Sequence, residues 1–165
     1  MLFGNKELIF DKPLVMGIIN ITTDSFSDGG KFISNNLTSE FDLRKIIKEI
    51  DFLEKSGASF IDIGAESTRP GYSPISTQEE LDRLIPVLEL ISETKSIISI
   101  DTRKPEVMKE VLKFPIGLIN DVSGLTSISG KKLVKNHNVP ICVMHNSRDR
   151  AKSLEEDIDL SLIHI

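Results

Sequence analysis

Tryptophan is absent from this 165-residue chain, and tyrosine and cysteine occur once each. With so few flat aromatic side chains, a stacking platform for single-stranded nucleic acid is not expected. The lone Cys142 excludes an intramolecular disulfide and, with no second Cys or His at ligand spacing, gives no zinc cluster. An excess of base is also missing. Lys and Arg number 20 against 25 Asp and Glu, a net charge of −5, where a nucleic-acid binder shows a basic stripe. No apolar run approaches the roughly 20 residues needed to span a bilayer. The opening MLFGNKELIFDKPLVMG has no basic segment leading into a long apolar stretch, so no signal peptide is expected. These absences predict a cytoplasmic globular protein with neither nucleic acid nor membrane as partner. The length suits one domain with a buried core.

What is present is one repeated grammar: a short apolar strand, a polar loop, then a segment of helical period. Before it, Gly4-Asn5 sits between apolar residues and predicts a short hairpin. Strands are then expected at 14–19, 60–63, 97–100, 117–119 and 140–144. Helices are expected at 39–55, from about Ser76-Thr77, from Pro105 and at 129–137. In the first helix Leu43, Ile46, Ile47, Ile50 and Leu53 make one stripe. Ser39 and Asp42 resemble a capping box, and Gly57 is placed to stop the helix. Pro86 lies inside the second helical pattern and is expected to kink or split it. Short strands that alternate with helices predict an α/β fold with a parallel sheet. An open doubly wound sheet and a closed (β/α)8 TIM barrel both satisfy that pattern. No G-x-G-x-x-G follows the first strand, which weakens a dinucleotide reading.

Polar residues close each strand: Asn20, Asp62 with Glu66, Asp101, Asn120 with Asp121, and His145. Asp and Asn also begin turns and cap helices, which explains any one of them. Five in succession favour a barrel, whose strand ends converge on one mouth. The loop 21–30 holds hydroxyls, Asp24, Asp28 and a Gly pair, suited to folding around phosphate, with Phe26 as an aromatic contact. Arg69, beside Thr68 and Pro70, suits a phosphate or carboxylate, or is a surface arginine. Asp101 can accept two hydrogen bonds from an amidine-like ring edge, and Asn120 can both donate and accept. His145 is not read as a metal ligand. Cys142, inside a strand, is expected to be a small core hydrophobe.

The segments MGIINITTDSFSDGG, FIDIGAESTRPG, SIDTRKPEV, LINDVSGL and VMH follow one another in that order. Together they resemble the dihydropteroate synthases, pterin-binding barrel enzymes of folate biosynthesis, from about Leu2 to His145. The resemblance implies a TIM barrel, incomplete here at about five strands. It implies condensation of 7,8-dihydropterin-6-ylmethyl diphosphate with 4-aminobenzoate to dihydropteroate and diphosphate, with Mg²⁺ required. Asn20 would help hold the Mg²⁺–diphosphate, and Thr68 and Arg69 would lie at the diphosphate and aminobenzoate side. Asp101 and Asn120 would hydrogen-bond the pterin, and Met144 would pack on its ring. Phe26, Asp28 and Pro70 would belong to the two loops of the aminobenzoate pocket. Family members are commonly homodimers. A dissociative path suits these residues, because it needs no nucleophilic side chain and none is evident.

Three places depart from the family pattern: Thr23 stands where Pro is usual, Ala65 replaces a common Gly, and His145-Asn146-Ser147-Arg148-Asp149 differs from the usual Met-His-Met-type continuation. The family's later elements, an Asp on the sixth strand, a Lys on the seventh and a final Arg-x-His, have no counterpart here. The last six residues, LSLIHI, correspond to CTGTCTCTTATACACATC, which resembles a sequencing-library adapter. The expectation is a barrel domain over 1–159 and an adapter scar over 160–165. Two other readings stay open: a methyltetrahydrofolate-type pterin-binding methyltransferase, and a non-catalytic pterin-binding remnant.

Overall fold

The computed structural model describes residues 1–22, 42–67, 73–91 and 93–144. The hairpin is present: β1 (Leu2–Phe3) pairs antiparallel with β2 (Lys6–Glu7). Its turn needs Gly4, whose φ of +61° lies in the left-handed region. The remaining elements alternate as β3 (Met16–Asn20), α1 (Leu43–Lys55), β4 (Phe60–Gly64), α2 (Thr77–Leu90), β5 (Ile97–Asp101), α3 (Pro105–Val111), β6 (Leu118–Asp121), α4 (Ile128–His137) and β7 (Ile141–Val143).

The five long-range strands are all parallel and lie side by side in sequence order, β3-β4-β5-β6-β7. A doubly wound sheet reverses its order at a switch point. This one never does among the described residues, which decides for the barrel-type winding. Strand edges differ from expectation by one or two residues. The first strand begins at Met16 rather than Leu14, and the fourth starts at Leu118 and runs on through Asp121.

The caps follow side-chain chemistry. Asp42 accepts the Arg44 and Lys45 amides and starts α1, so the helix begins at Leu43; Ser39 lies outside the described residues. Ser76 caps α2 through the Glu79 amide, and Ser127 caps α4 through the Gly130 amide. Pro105 occupies the first turn of α3. Of the kink or split expected at Pro86, the split is absent: α2 runs unbroken through it. Leu84, Val87 and Leu88 around it are buried, so packing onto the sheet outweighs the lost backbone bond.

Alternation along the strands divides the sheet into two faces. Ile19, Ile61, Ile63, Ile98, Ile100 and Ile119 turn to the helices and pack with Ile46, Ile50, Leu84, Leu88, Val107 and Met108. The opposite face carries a separate small apolar cluster, Phe3, Phe60, Ile97 and Leu118, with Leu8 and Leu14 against it. Phe3 meets Phe60 edge-on at 5.1 Å between centroids. The hairpin therefore closes the N-terminal end of this inner face. Lys6 fastens it by donating to the carbonyls of Thr94 and Ser96 at 2.5 and 2.6 Å.

Candidate active site

Above that apolar floor the inner face becomes polar. Register places Ile18, Asp62, Ser99 and Leu118 in one transverse row. The next row, at the C-terminal ends, is Asn20, Gly64, Asp101, Asn120 and Cys142. Three of the residues singled out from sequence, Asn20, Asp101 and Asn120, thus share one line across four strands. Met144, two residues beyond Cys142, is 55% exposed.

Gly64 makes the centre of this row open. A Cβ there would stand 3.4 Å from Asp101 Oδ2 and 3.7 Å from Asn20 Oδ1. The Asn20 amide oxygen and the Asp101 carboxylate therefore border the same small space. Burial, then the neighbouring Asp62, Glu80, Asp121 and Glu66 carboxylates, push the Asp101 carboxyl up to about 7. Such a group gains most from a cationic or donor-rich ligand.

Mg²⁺ usually keeps several waters and takes one or two protein oxygens together with substrate phosphates. No group of three His, Cys, Asp or Glu that could hold a metal occurs among the described residues. The hard amide oxygen of Asn20, beside Asp101 at an open strand end, fits a metal that arrives with a diphosphate.

One row deeper, Asp62 is 5% exposed and its partners are on the inner face. It accepts from Ser99 Oγ at 2.5 Å and from Asn120 Nδ2 at 3.0 Å. The sequence marks Asp62 as a strand-end carboxylate; it lies mid-strand and supports Asn120 instead. Asp121 faces the other way. Its carboxylate accepts from the Ser123 and Leu125 amides, a turn cap of the ordinary kind. Cys142 corrects another expectation. It is exposed rather than packed in the core, because its side chain falls in the polar inner row. Burial, then Asp62 and Asp101, raises its thiol above the ordinary value.

An ion cluster behind the mouth was not legible as such. Lys104 Nζ donates to Glu66 Oε1 at 3.1 Å, Glu80 Oε2 at 2.7 Å and the Ile75 carbonyl at 2.7 Å. Arg103 Nε donates to Glu66 Oε2 at 3.0 Å, and Thr102 Oγ1 to Glu80 Oε1 at 2.6 Å. Burial raises the Glu66 carboxyl, but Arg103 and Lys104 prevail and hold it below the ordinary carboxylate range. Glu66 Oε1 also accepts the Ile75 amide, so both ends of the intervening loop are tied to one ammonium. The available signal was the pair Arg103-Lys104 directly after a strand-end Asp, opposite Glu80 in a helical first turn. Phe26, Asp28, Thr68, Arg69, Pro70 and His145 lie outside the described residues, as does the tail 160–165.

Parallel strands wound in sequence order, with amide and carboxylate groups aligned at their C-terminal edge, define the TIM-barrel class of enzyme. Within that class, the family described as pterin binding enzyme matches residues 16–160, and the chain belongs to it. A dihydropteroate synthase of Clostridium beijerinckii is 41% identical over 163 residues, covering 96% of this chain and 57% of its own length. The Yersinia pestis dihydropteroate synthase in a sulfonamide drug complex superposes with a TM-score of 0.85 at 34% identity, over 99% of this chain and 60% of that one. The Xanthomonas albilineans dihydropteroate synthase with 4-aminobenzoic acid gives 0.77 at 37% identity, over 95% and 56%. The chain spans about half the length of the curated relatives it matches. Its described residues thus correspond to five strands and the four intervening helices of an incomplete barrel. No helix among the described residues is long and apolar enough to cross a membrane.

Proposed function

We propose that this chain serves dihydropteroate synthesis in the folate pathway. The reaction joins 7,8-dihydropterin-6-ylmethyl diphosphate to 4-aminobenzoate and releases diphosphate. The observation that carries the reading is the single row of Asn20, Gly64, Asp101 and Asn120 at the strand ends. The identity to named dihydropteroate synthases supports it.

In this reading Asp101 and Asn120 receive the hydrogen-bonding edge of the pterin, and Met144 lies against the ring. The bond from the pterin methylene carbon to the diphosphate oxygen breaks, and its electron pair leaves with the oxygen. The positive charge left on the methylene spreads into the ring. The Asp101 carboxylate, held in a part-buried place, stabilises that charge far better than it would in water. The aminobenzoate nitrogen then donates its lone pair to the methylene carbon and loses a proton to solvent. Asn20 would hold Mg²⁺ through its amide oxygen, and the ion would supply charge neutralisation for the departing diphosphate. Thr68 and Arg69 are assigned to the diphosphate and aminobenzoate, and Phe26, Asp28 and Pro70 to the loops that enclose the latter.

The test uses two ligand additions to the chain. Dihydropterin diphosphate with Mg²⁺ is expected to raise the melting temperature through preferential binding to the folded state. Addition of 4-aminobenzoate then asks for diphosphate release. Release supports synthesis. Binding without release assigns a non-catalytic pterin-binding role to this half-barrel. No thermal shift at saturating ligand refutes the pterin reading for the chain.

A further inference from the structure

We propose that Asp62 is a positioning residue, which locks the Asn120 amide so that its carbonyl oxygen faces the mouth and selects a ligand N–H there. The proposal deepens the pterin reading and rests on it for the nature of the ligand. Its basis is the hydrogen-bond chain Ser99–Asp62–Asn120. Ser99 is fully buried and Asp62 nearly so, while Asn120 is half-buried at the upper row. An ionised carboxylate has no proton to donate and can only accept. Ser99 Oγ fills one Asp62 oxygen and Asn120 Nδ2 fills the other.

The consequence lies in the amide. An asparagine amide can turn over, exchanging its oxygen and nitrogen at little steric cost. Asp62 removes that freedom, because a turned amide would set the Asn120 oxygen against a carboxylate oxygen. The nitrogen is therefore held down toward Asp62. Oδ1 is left on the opposite side, with the second Nδ2 hydrogen beside it. Asn120 then offers one fixed acceptor and one fixed donor in line with Asp101. A ring edge carrying an exocyclic amine next to an acceptor nitrogen matches that order, and the reversed edge meets oxygen with oxygen. Buried polar groups left unpaired in this way are the strongest source of discrimination a pocket has.

The test pairs a change in the protein with a change in the ligand. Asp62→Asn is isosteric, but its own amide can satisfy Asn120 in either orientation. Calorimetry measures binding of pterin and of its 2-desamino counterpart to the native chain and to this variant. Removing the amine is expected to weaken native binding by about tenfold and variant binding by less than about threefold. A purely structural role would weaken both ligands alike in the variant, and that outcome overturns the lock while leaving the pterin reading intact. If the native chain binds neither ligand, the pterin reading fails for it, and the lock is judged by solvent exchange of the Asn120 amide protons. Exchange about tenfold faster in Asp62→Asn sustains it; equal exchange overturns it. Should Asp62→Asn fail to fold, Asp62→Ser, whose hydroxyl can donate or accept, takes its place, and the same two measurements must move in the same direction for the lock to stand.

Discussion

Replacing Asp101 with Asn should stabilise the protein above neutral pH while it removes pterin binding. The carboxyl rises from 3.8 to about 7 because folding takes it out of water and sets four other carboxylates around it. Near pH 4 it carries its proton in the folded state. As pH rises toward 7 the unfolded chain gives up that proton while the folded one retains it. The native protein therefore loses stability across this window, and the loss is complete once the folded group also ionises. A rise of roughly 3 pH units at 1.36 kcal/mol each sets a ceiling of about 4 kcal/mol. Solvent at the open mouth reduces this to about 2 kcal/mol, by the weaker coupling at an effective dielectric near 20. The amide that replaces the carboxyl does not titrate. The variant's advantage should be near zero at about pH 4, grow to about pH 7 and stay level beyond. Urea unfolding of both proteins at about pH 4, 6 and 8 measures it. A difference that does not change with pH, or a loss of stability in the variant at pH 8, would refute the electrostatic account of Asp101.

Lys104→Met should destabilise the fold by about 3 kcal/mol or more, since it strands Glu66 and Glu80 together without their shared cation; denaturant unfolding that moves by less than about 1 kcal/mol contradicts the stapling role. Gly64→Ala puts a methyl between Asp101 and Asn20, and should weaken dihydropterin diphosphate affinity by at least about tenfold with a small change in melting temperature. Gly117→Ala drives a Cβ to 2.6 Å from Ile97 Cγ2 and 3.1 Å from the Phe3 carbonyl oxygen, and should cost about 2 kcal/mol in unfolding free energy without altering ligand specificity.

Much of the architecture was legible because its signals are local. Stripes such as Leu43-Ile46-Ile50 and caps such as Ser76 state where helices lie without reference to the rest of the chain. Pro86 does not split α2, because its cost is local while its remedy, packing of Leu84, Val87 and Leu88 on the sheet, is not. The inner row was legible for the same reason the strands were: a polar residue ending each apolar run. Which way a strand-end residue faces depends on register, and register is a property of pairs. Asp62 lies one row below Asn120, and Asp121 points to the opposite side, though all three read alike in sequence. Cys142 illustrates the converse, a residue of usually buried type that is exposed in a polar row. The Glu66–Lys104–Glu80 cluster joins residues up to 38 positions apart, beyond the reach of periodicity.

The hairpin at the N-terminal end of the inner face has a bearing on the order of assembly. Each β/α unit adds beside the one before it, so the sheet can grow along the emerging chain through contacts that are short in sequence. The hairpin obeys a different clock. Lys6 finds its acceptors 88 and 90 residues downstream, and Phe3 shares its cluster with Leu118. Phe3 and Phe60 must therefore stay wet until β5 and β6 have formed. A ribosome-bound chain should gain resistance to proteolysis at its N-terminus in one late step, when Leu118 clears the exit tunnel, rather than gradually with length.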